Sequence, residues 1–492
     1  MPRPTVRAAG VDVDWLYAHD YDLARQVLQR GLGVMYLIAF CSTAAQFRVL
    51  LGEHGLLPVP HLVHGYMRGP SLFRWRYSDR LLLVVAAAGA ALAASVVLGL
   101  PQLGPPWVPM LVFLALYGLY MSIVNVGQTF YAFGWESLIL EAGFLAAFLG
   151  SNQVPPPTPI LVLFAWLVFR LEFGAGMIKM RGDVVWRNLT ALYYHHETQP
   201  MPNPVSWFAH HLPKPVHKLE VLGNHFAQLI VPWLLFFPQP VKSGAAAVVI
   251  LTQLWLVTTG NFAWLNWITI VLAFCGVSDT VVHWLLPAFP VDLWAGPGGV
   301  PAEAPAWWLV LVWAATLLMV VLSYWPAVNL MRHRQLMNAS FNRWHLVNAY
   351  GAFGSITRPR YEVIVEGTLE QHPDDTGWRE YEFKGKPGNV MRMPRQYAPY
   401  HLRLDWLMWF LPLRGGPERW FLVFLTRLLE ADAPTLRMLR LDPFDGEPPR
   451  WVRARLFVYR YSTRAEKRAT GAWWVRDEIT EFVPPLSLSR SS

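Results

Sequence analysis

The chain holds only two cysteines in 492 residues, and both Cys41 and Cys275 fall inside apolar runs. Neither a CxxC motif nor an exposed cysteine pair exists, which excludes a disulfide framework and dithiol redox chemistry. Charge is scarce as well: charged residues make up 15% of the chain against 54% hydrophobic, with 25 tryptophans. That balance lies outside the range of soluble domains. Between Arg80 and Arg170 the only charged side chains are Glu136 and Glu141. The sequence also lacks GxxxxGK[ST], GxGxxG after a strand and GxSxG, which removes nucleotide-driven pumps and lipase-type hydrolases from consideration. No helix-turn-helix, zinc-finger or RNA-binding signature accompanies the net charge of +8. Nucleic acid is therefore not an expected partner, and the basic excess reads as arginines meeting lipid headgroups. The absence of an internal repeat argues against a transporter. The first 30 residues carry Asp12, Asp14, Asp20 and Asp22 instead of a basic segment followed by an apolar one, so the first span is expected to start insertion itself.

What is present is a succession of apolar runs of roughly 17–25 residues, each long enough to cross a bilayer. They lie near 31–50, 81–100, 107–126, 134–150, 159–178, 221–238, 243–259, 261–279 and 305–330. The expected fold is a polytopic α-helical membrane protein of about nine transmembrane helices, followed by a soluble α+β domain with an antiparallel sheet. The division falls at residues 1–331 and 332–492, and a large loop rich in aromatic residues and histidine interrupts the first part at about 180–220. In the second part the hydrophobic period changes. YEVIVEGTLE (361–370) and WREYEFKGKPG (378–388) alternate around HPDDTG (372–377), the pattern of a hairpin. A third strand, WVRARLFVYRYST (451–463), places Val452, Ala454, Leu456 and Val458 on a packing face and Trp451, Arg453, Arg455, Phe457, Tyr459 and Tyr461 opposite. LRLDWLMWFL (402–411) and ERWFLVFLTRLLE (418–430) read as short amphipathic helices for the sheet or the bilayer surface. The arginine bias around the spans points both ways and leaves the orientation open.

Ionisable groups inside a membrane cost roughly 2.5–3.5 kcal/mol each and therefore mark structure or function. Glu172, Gly176 and Lys179 share one helical face, with Gly174 and Gly176 admitting a close neighbour. Glu136 and Glu141 stand about 140° apart around their helix, too far round for paired acid–base work. They are expected to take Arg170 and Lys179 as partners in a buried network of Glu136, Glu141, Arg170, Glu172 and Lys179. The loop TALYYHHETQPMPNPVSWFAHHLP (190–213) supports several readings. Its rings and polar tips suit an interfacial belt. The same chemistry suits a gripping surface for a partner, with Tyr193, Tyr194, His195, His196, Glu197, Trp207, His210 and His211 as contacts. A metal set drawn from His195, His196, His210, His211, His217 and His225 lacks HExxH, because Pro200 stands where the second ligand belongs, and no metal or other cofactor is expected. An enzymatic alternative takes Lys179 with His195 or His196 as base, Glu197 as orienting partner and Arg170 as anion site.

Four segments, GQTFYAFGWESLILEAGFL (127–145), RLEFGAGMIKMRGDVVWRNLTALYYHHETQPMPNPVSWFAHHLP (170–213), WREYEFKGKPGNVMRMPRQYAPYHLRLDWLMWF (378–410) and PFDGEPPRWVRARLFVYRYS (443–462), resemble in order the lipase maturation factors. The resemblance implies a membrane-resident, chaperone-like assistant to a secreted, lipase-like client, with the polar domain and large loop on the lumenal side of the endoplasmic reticulum. The prevalence of arginine over lysine and the alanine runs are similar to chains from GC-rich bacteria. There the membrane would be the plasma membrane and the client another exported protein. A fainter similarity of the membrane part to vitamin K-dependent carboxylases keeps the enzymatic alternative in view.

Overall fold

The computed structural model describes residues 7–8, 11–63, 69–289, 304–372 and 376–488. The first helices are α1 (Asp22–Leu51), α2 (Asp79–Leu98), α3 (Trp107–Val124), α4 (Gly134–Ala146) and α5 (Thr158–Arg181). Two short helices in the loop follow, α6 (Leu192–Thr198) and α7 (Ser206–His210), then α8 (Lys214–Leu229), α9 (Val241–Thr259), α10 (Leu265–Ala273), α11 (Asp279–Leu285) and the run α12 (Ala306–Met331). Local chemistry sets the ends. Ser78 Oγ accepts from Leu81 N at 3.1 Å to start α2, and Gly99, at φ 81°, ends it in the left-handed conformation.

Among the described residues, six helices are long and apolar enough to span a membrane: α1, α2, α3, α5, α9 and α12. A seventh is added if α10 and α11, bent by 99° where they meet, form one broken span. The expected count of nine is thus not met. The run near 134–150 forms the 13-residue α4, about 20 Å long and too short for a hydrocarbon core of about 30 Å. The run near 221–238 breaks after Leu229 and carries Asn224, His225 and Gln228 on α8. Outward-facing Val84, Leu111, Leu251, Val310, Leu317 and Val321 are exposed on the spanning helices, a surface suited to lipid. Inside, Tyr36, Phe40 and Tyr120 interlock as stacked and edge-on rings.

The C-terminal part holds a four-stranded antiparallel sheet of β1 (Arg360–Thr368), β2 (Arg379–Glu380), β3 (Trp451–Tyr461) and β4 (Trp474–Leu486), in the order β2-β1-β3-β4. The hairpin forms with Glu366 opposite Glu380, although its second strand is only two residues long. Residues 373–375 of its turn lie outside the described residues. In β3 the expected faces hold for half the strand. Val452 and Ala454 are buried, but the register with β4 shifts at Leu456/Phe457, and beyond it Phe457, Tyr459 and Tyr461 are the buried positions. The alternation of β3 itself is unbroken, since it pairs with β1 in continuous register from Trp451 to Tyr459 and the extra residues lie in β4. The aromatic face is covered at this end because Trp207 and Trp474 pack on Phe457, Tyr459 and Tyr461. This part also holds the helices α13 (Arg403–Phe410) and α14 (Arg419–Leu429), beside two shorter ones at Ala433–Leu436 and Arg464–Thr470. α14 packs Phe421 and Phe424 into the core beside β3, whereas α13 lies against β1 and the turn at 128–131, with Leu404, Trp406 and Leu407 buried and Trp406 edge-on to Trp135.

Two buried carboxylates on α4 join the parts. Glu136 accepts from Arg403 Nη1 at 2.6 Å and from Tyr120 Oη at 2.5 Å, and the Arg403 guanidinium lies 3.4 Å from the Tyr131 ring centre. Glu141 pairs with Arg170 and accepts from Asn348 N at 2.9 Å and Tyr350 Oη at 2.8 Å. Arg403, from the C-terminal part, thus takes the place of the intramembrane cation expected for Glu136. Beside it, fully buried His401 receives a hydrogen bond from Trp135 Nε1 at 3.4 Å, and burial pushes its pKa down to about 4.

Two outcomes follow. Arg403→Ala leaves Glu136 buried without its cation and is expected to cost about 3–5 kcal/mol, read as a lower melting temperature in detergent, with partial recovery in Glu136→Gln/Arg403→Met. The folded state keeps His401 neutral while the unfolded chain protonates near pH 6.5. Its stabilisation is therefore present above that pH and is lost toward pH 4, on the order of 3 kcal/mol. Comparing the wild type with His401→Gln across pH 4–7 isolates this term from Asp405, whose carboxyl, pushed up to about 6 by burial, acts in the opposite sense.

Candidate functional site

The C-terminal half of α5 opens onto a cavity of about 910 Å³, walled by Trp135, Leu171, Phe262, Phe353 and Trp406 and reached by Glu172, Lys179, His195 and His196. Glu172 and Lys179 lie two turns apart, about 10 Å along the axis, and do not pair directly. Amides link them instead. Lys179 Nζ donates to Asn224 Oδ1 at 2.8 Å and Gln228 Oε1 at 2.9 Å. Gln228 Nε2 donates to Glu172 Oε2 at 3.2 Å. Gln253 Nε2 donates to Glu172 Oε1 at 2.6 Å, and Gln253 Oε1 in turn accepts from Asn266 Nδ2 at 2.6 Å. Trp186 covers the ammonium, its ring centre 4.6 Å from Nζ. Sequence reasoning missed Asn224, Gln228, Gln253 and Asn266. The available signal was two buried charges at i and i+7 with no partner within reach. The close approaches expected at Gly174 and Gly176 are present: a Cβ there would sit 2.7 Å from the Tyr350 carbonyl oxygen and 2.7 Å from Leu229 Cδ2, respectively.

The loop beyond α5 is a clamp. Pro200 ends α6, and Asn203 Oδ1 accepts from Val205 N and Ser206 N, both at 3.0 Å, to start α7. Ser206 Oγ and Gln199 Nε2 both donate to the Thr259 carbonyl at the end of α9, at 2.8 and 3.0 Å. On the other side the loop grips the sheet. Buried Arg360 of β1 donates to the carbonyls of Glu197 and Gln199 at 2.8 and 2.5 Å, Tyr461 N donates to the Glu197 carboxylate at 2.7 Å, and Trp207 Nε1 donates to the Ser462 carbonyl at 3.0 Å. Trp207 also stacks with His211, at 4.2 Å between ring centres.

Of the eight contact residues expected to grip a partner, His195, His196 and Trp207 are buried, and Tyr193, Tyr194, Glu197, His210 and His211 are half-buried. Their rings face this chain's own sheet and helices. The residues that reach solvent here are Val205 and Phe208, 42% and 51% exposed, with Met391 at 53% and Met393 at 39% nearby in the C-terminal part. Trp473 joins the two groups: its ring lies 6.2 Å from that of Phe208, and its N donates to the Val390 carbonyl at 2.8 Å.

The enzymatic set is assembled only in part. Lys179, His195 and His196 share the cavity. Glu197 turns away to Tyr461 N and lies 3.7 Å from His210 Nε2, and Arg170 is engaged by Glu141. The base of that reading therefore lacks Glu197, its expected orienting carboxylate. Burial pushes the pKa of His195 down to about 3 and that of His210 to about 4, and it raises that of Glu197. Of the six histidines considered as ligands, His225 hydrogen-bonds the Trp186 carbonyl at 3.0 Å and His211 the Trp207 carbonyl at 2.7 Å. His196 and His217 instead converge with Glu220, their donor atoms all within 4.8 Å of one another.

Comparison with known proteins places this architecture. Residues 23–284 match the lipase maturation factor transmembrane domain and residues 346–484 the lipase maturation factor C-terminal domain. The chain is 38% identical to lipase maturation factor 1 of Homo sapiens, over 96% of this chain and 89% of that protein. It is 38% identical to lipase maturation factor 1 of Mus musculus, over 96% and 88%. With lipase maturation factor 2 of Gallus gallus the identity is 28%, over 94% and 81%. No solved structure matches the chain.

Burial at the clamp separates two neighbouring rings. Trp207→Ala is expected to cost about 3–5 kcal/mol and to open residues 199–213 to protease, whereas exposed Phe208→Ala stays within about 1 kcal/mol of the wild type. Melting curves and limited proteolysis in detergent read both.

Proposed function

Because the chain belongs to the lipase maturation factor family, we propose that it is a multi-pass membrane protein that assists the folding or assembly of secreted, lipase-class proteins. The observation that carries this reading is the extent of the relationship, which covers the membrane helices and the C-terminal sheet alike. The client is a chain not yet fully folded and so still presents apolar surface. The matching feature is the exposed seam of Val205, Phe208, Met391 and Met393. Methionine and phenylalanine adapt to varied apolar partners, and Lys467, 2.9 Å from the Trp473 ring centre, adds a cationic edge. Beneath the seam, Trp207, His210 and His211 hold the loop to Tyr461 and Ser462 and act as its support. The seam faces the compartment in which the client matures: the lumen of the endoplasmic reticulum in a eukaryote, the outer side of the plasma membrane in a bacterium.

Assistance of this kind is binding chemistry and needs no bond to be made or broken. In cells lacking their own factor and supplied with this chain and a secreted lipase, Phe208→Ser/Met391→Ser is expected to lower secreted lipase activity several-fold at unchanged membrane abundance. Wild-type output from that variant would reject the seam as the contact. Output independent of the chain altogether would reject the function.

A further inference from the structure

The cluster of His196, His217 and Glu220 is unabsorbed by the maturation role, and its hydrogen bonding does not close. His217 Nε2 lies 3.2 Å from the His210 carbonyl oxygen, an acceptor only, so Nε2 carries the hydrogen. In the neutral ring Nδ1 then presents a lone pair, and it does so 2.9 Å from Glu220 Oε2, another acceptor. Two lone pairs at that distance need a positive species between them. Across from them, His196 is 3% exposed, and neither of its ring nitrogens has a hydrogen-bond partner; Glu220 Oε1 has none either. A proton on His217 would settle the contact with Glu220 and leave the other three atoms orphaned in a buried site, each at a cost of about 1–3 kcal/mol. A metal cation would take up the lone pair of His217 Nδ1, the Glu220 carboxylate and one ring nitrogen of His196 together, leaving a single His196 nitrogen without a partner.

We propose that His196, His217 and Glu220 bind one divalent d-block cation, zinc by preference, with a further coordination position open to the cavity. Two imidazoles and one carboxylate are a ligand set that zinc accepts and that calcium and magnesium, which prefer all-oxygen shells, do not. The hydrogen bond from His217 Nε2 to a backbone carbonyl is the outer support that orients a metal-bound imidazole. His217 and Glu220 stand at i and i+3 on α8, one helical face, and His196 reaches them from α6, its ring centre 5.7 Å from that of His217. Donor atoms in tetrahedral zinc sites stand about 3.3 Å apart, so turning the His196 ring closes the set. His196 and Glu220 also line the cavity, which leaves the open position facing its interior. The metal would tie α6 to α8 at the cavity mouth.

The test uses the full chain purified in detergent after growth in zinc-supplemented medium. Elemental analysis is expected to find about one zinc per chain in the wild type. His217→Ala and Glu220→Gln are expected to retain less than half of that, and His211→Asn, in the same loop but outside the set, to retain it fully. A second measurement needs no variant: stripping the wild type with a chelator lowers its melting temperature by several degrees, zinc restores it, and cobalt substituted for zinc gives visible ligand-field bands. Wild-type protein without zinc and with a melting temperature indifferent to chelator and metal would overturn the proposal. So would zinc retained in both His217→Ala and Glu220→Gln.

Discussion

Two carboxylates out of reach of water organise the molecule. Glu136 and Glu141 sit on a helix buried on nearly all sides, where an ion without a counter-ion is not tolerated. Each therefore binds its surroundings to itself: Glu136 draws in Arg403, and Glu141 draws in Arg170 with Asn348 and Tyr350. Three of these four partners lie beyond the last spanning helix in sequence. The polar C-terminal part is thus keyed into the membrane helices by charge neutralisation, and removing either part strands ions in the other.

The loop between α5 and α8 extends the same logic with side chains that bind backbone groups. Arg360 donates to two loop carbonyls, Glu197 receives the backbone of Tyr461, and Trp207 reaches Ser462. Polar tips on aromatic rings satisfy a buried backbone while filling space. That use explains why so ring-rich a stretch turns inward. What stays exposed beside it is a smaller apolar seam around Phe208 and Met391, with Phe208 edge-on to the buried Trp207 ring.

Much of this was legible before folding. Six apolar runs became spans as expected, because length and hydropathy alone decide whether a helix fits hydrocarbon. The antiparallel hairpin also followed from local pattern, and of the two cations expected beside the α4 carboxylates Arg170 meets Glu141. Two runs misled, at 134–150 and 221–238, since hydrophobicity does not distinguish a helix buried in protein from one buried in lipid, and the run at 261–279 falls on a helix pair bent by 99°. The aromatic face of β3 is covered at its far end by Trp207 and Trp474, which no pattern within the strand displays. The amides around Glu172 and Lys179 were invisible because each comes from a different helix.

By itself the sequence determined that the chain lives in a membrane, where its helices run, and which family its aromatic and polar strings match. These properties rest on composition and on residues near one another along the chain. Only the tertiary structure decided that Arg403 answers Glu136 across more than half the chain, that the loop grips the sheet, and that His196 meets His217 and Glu220. Such meetings depend on how separate elements pack, and packing has no period that a sequence displays.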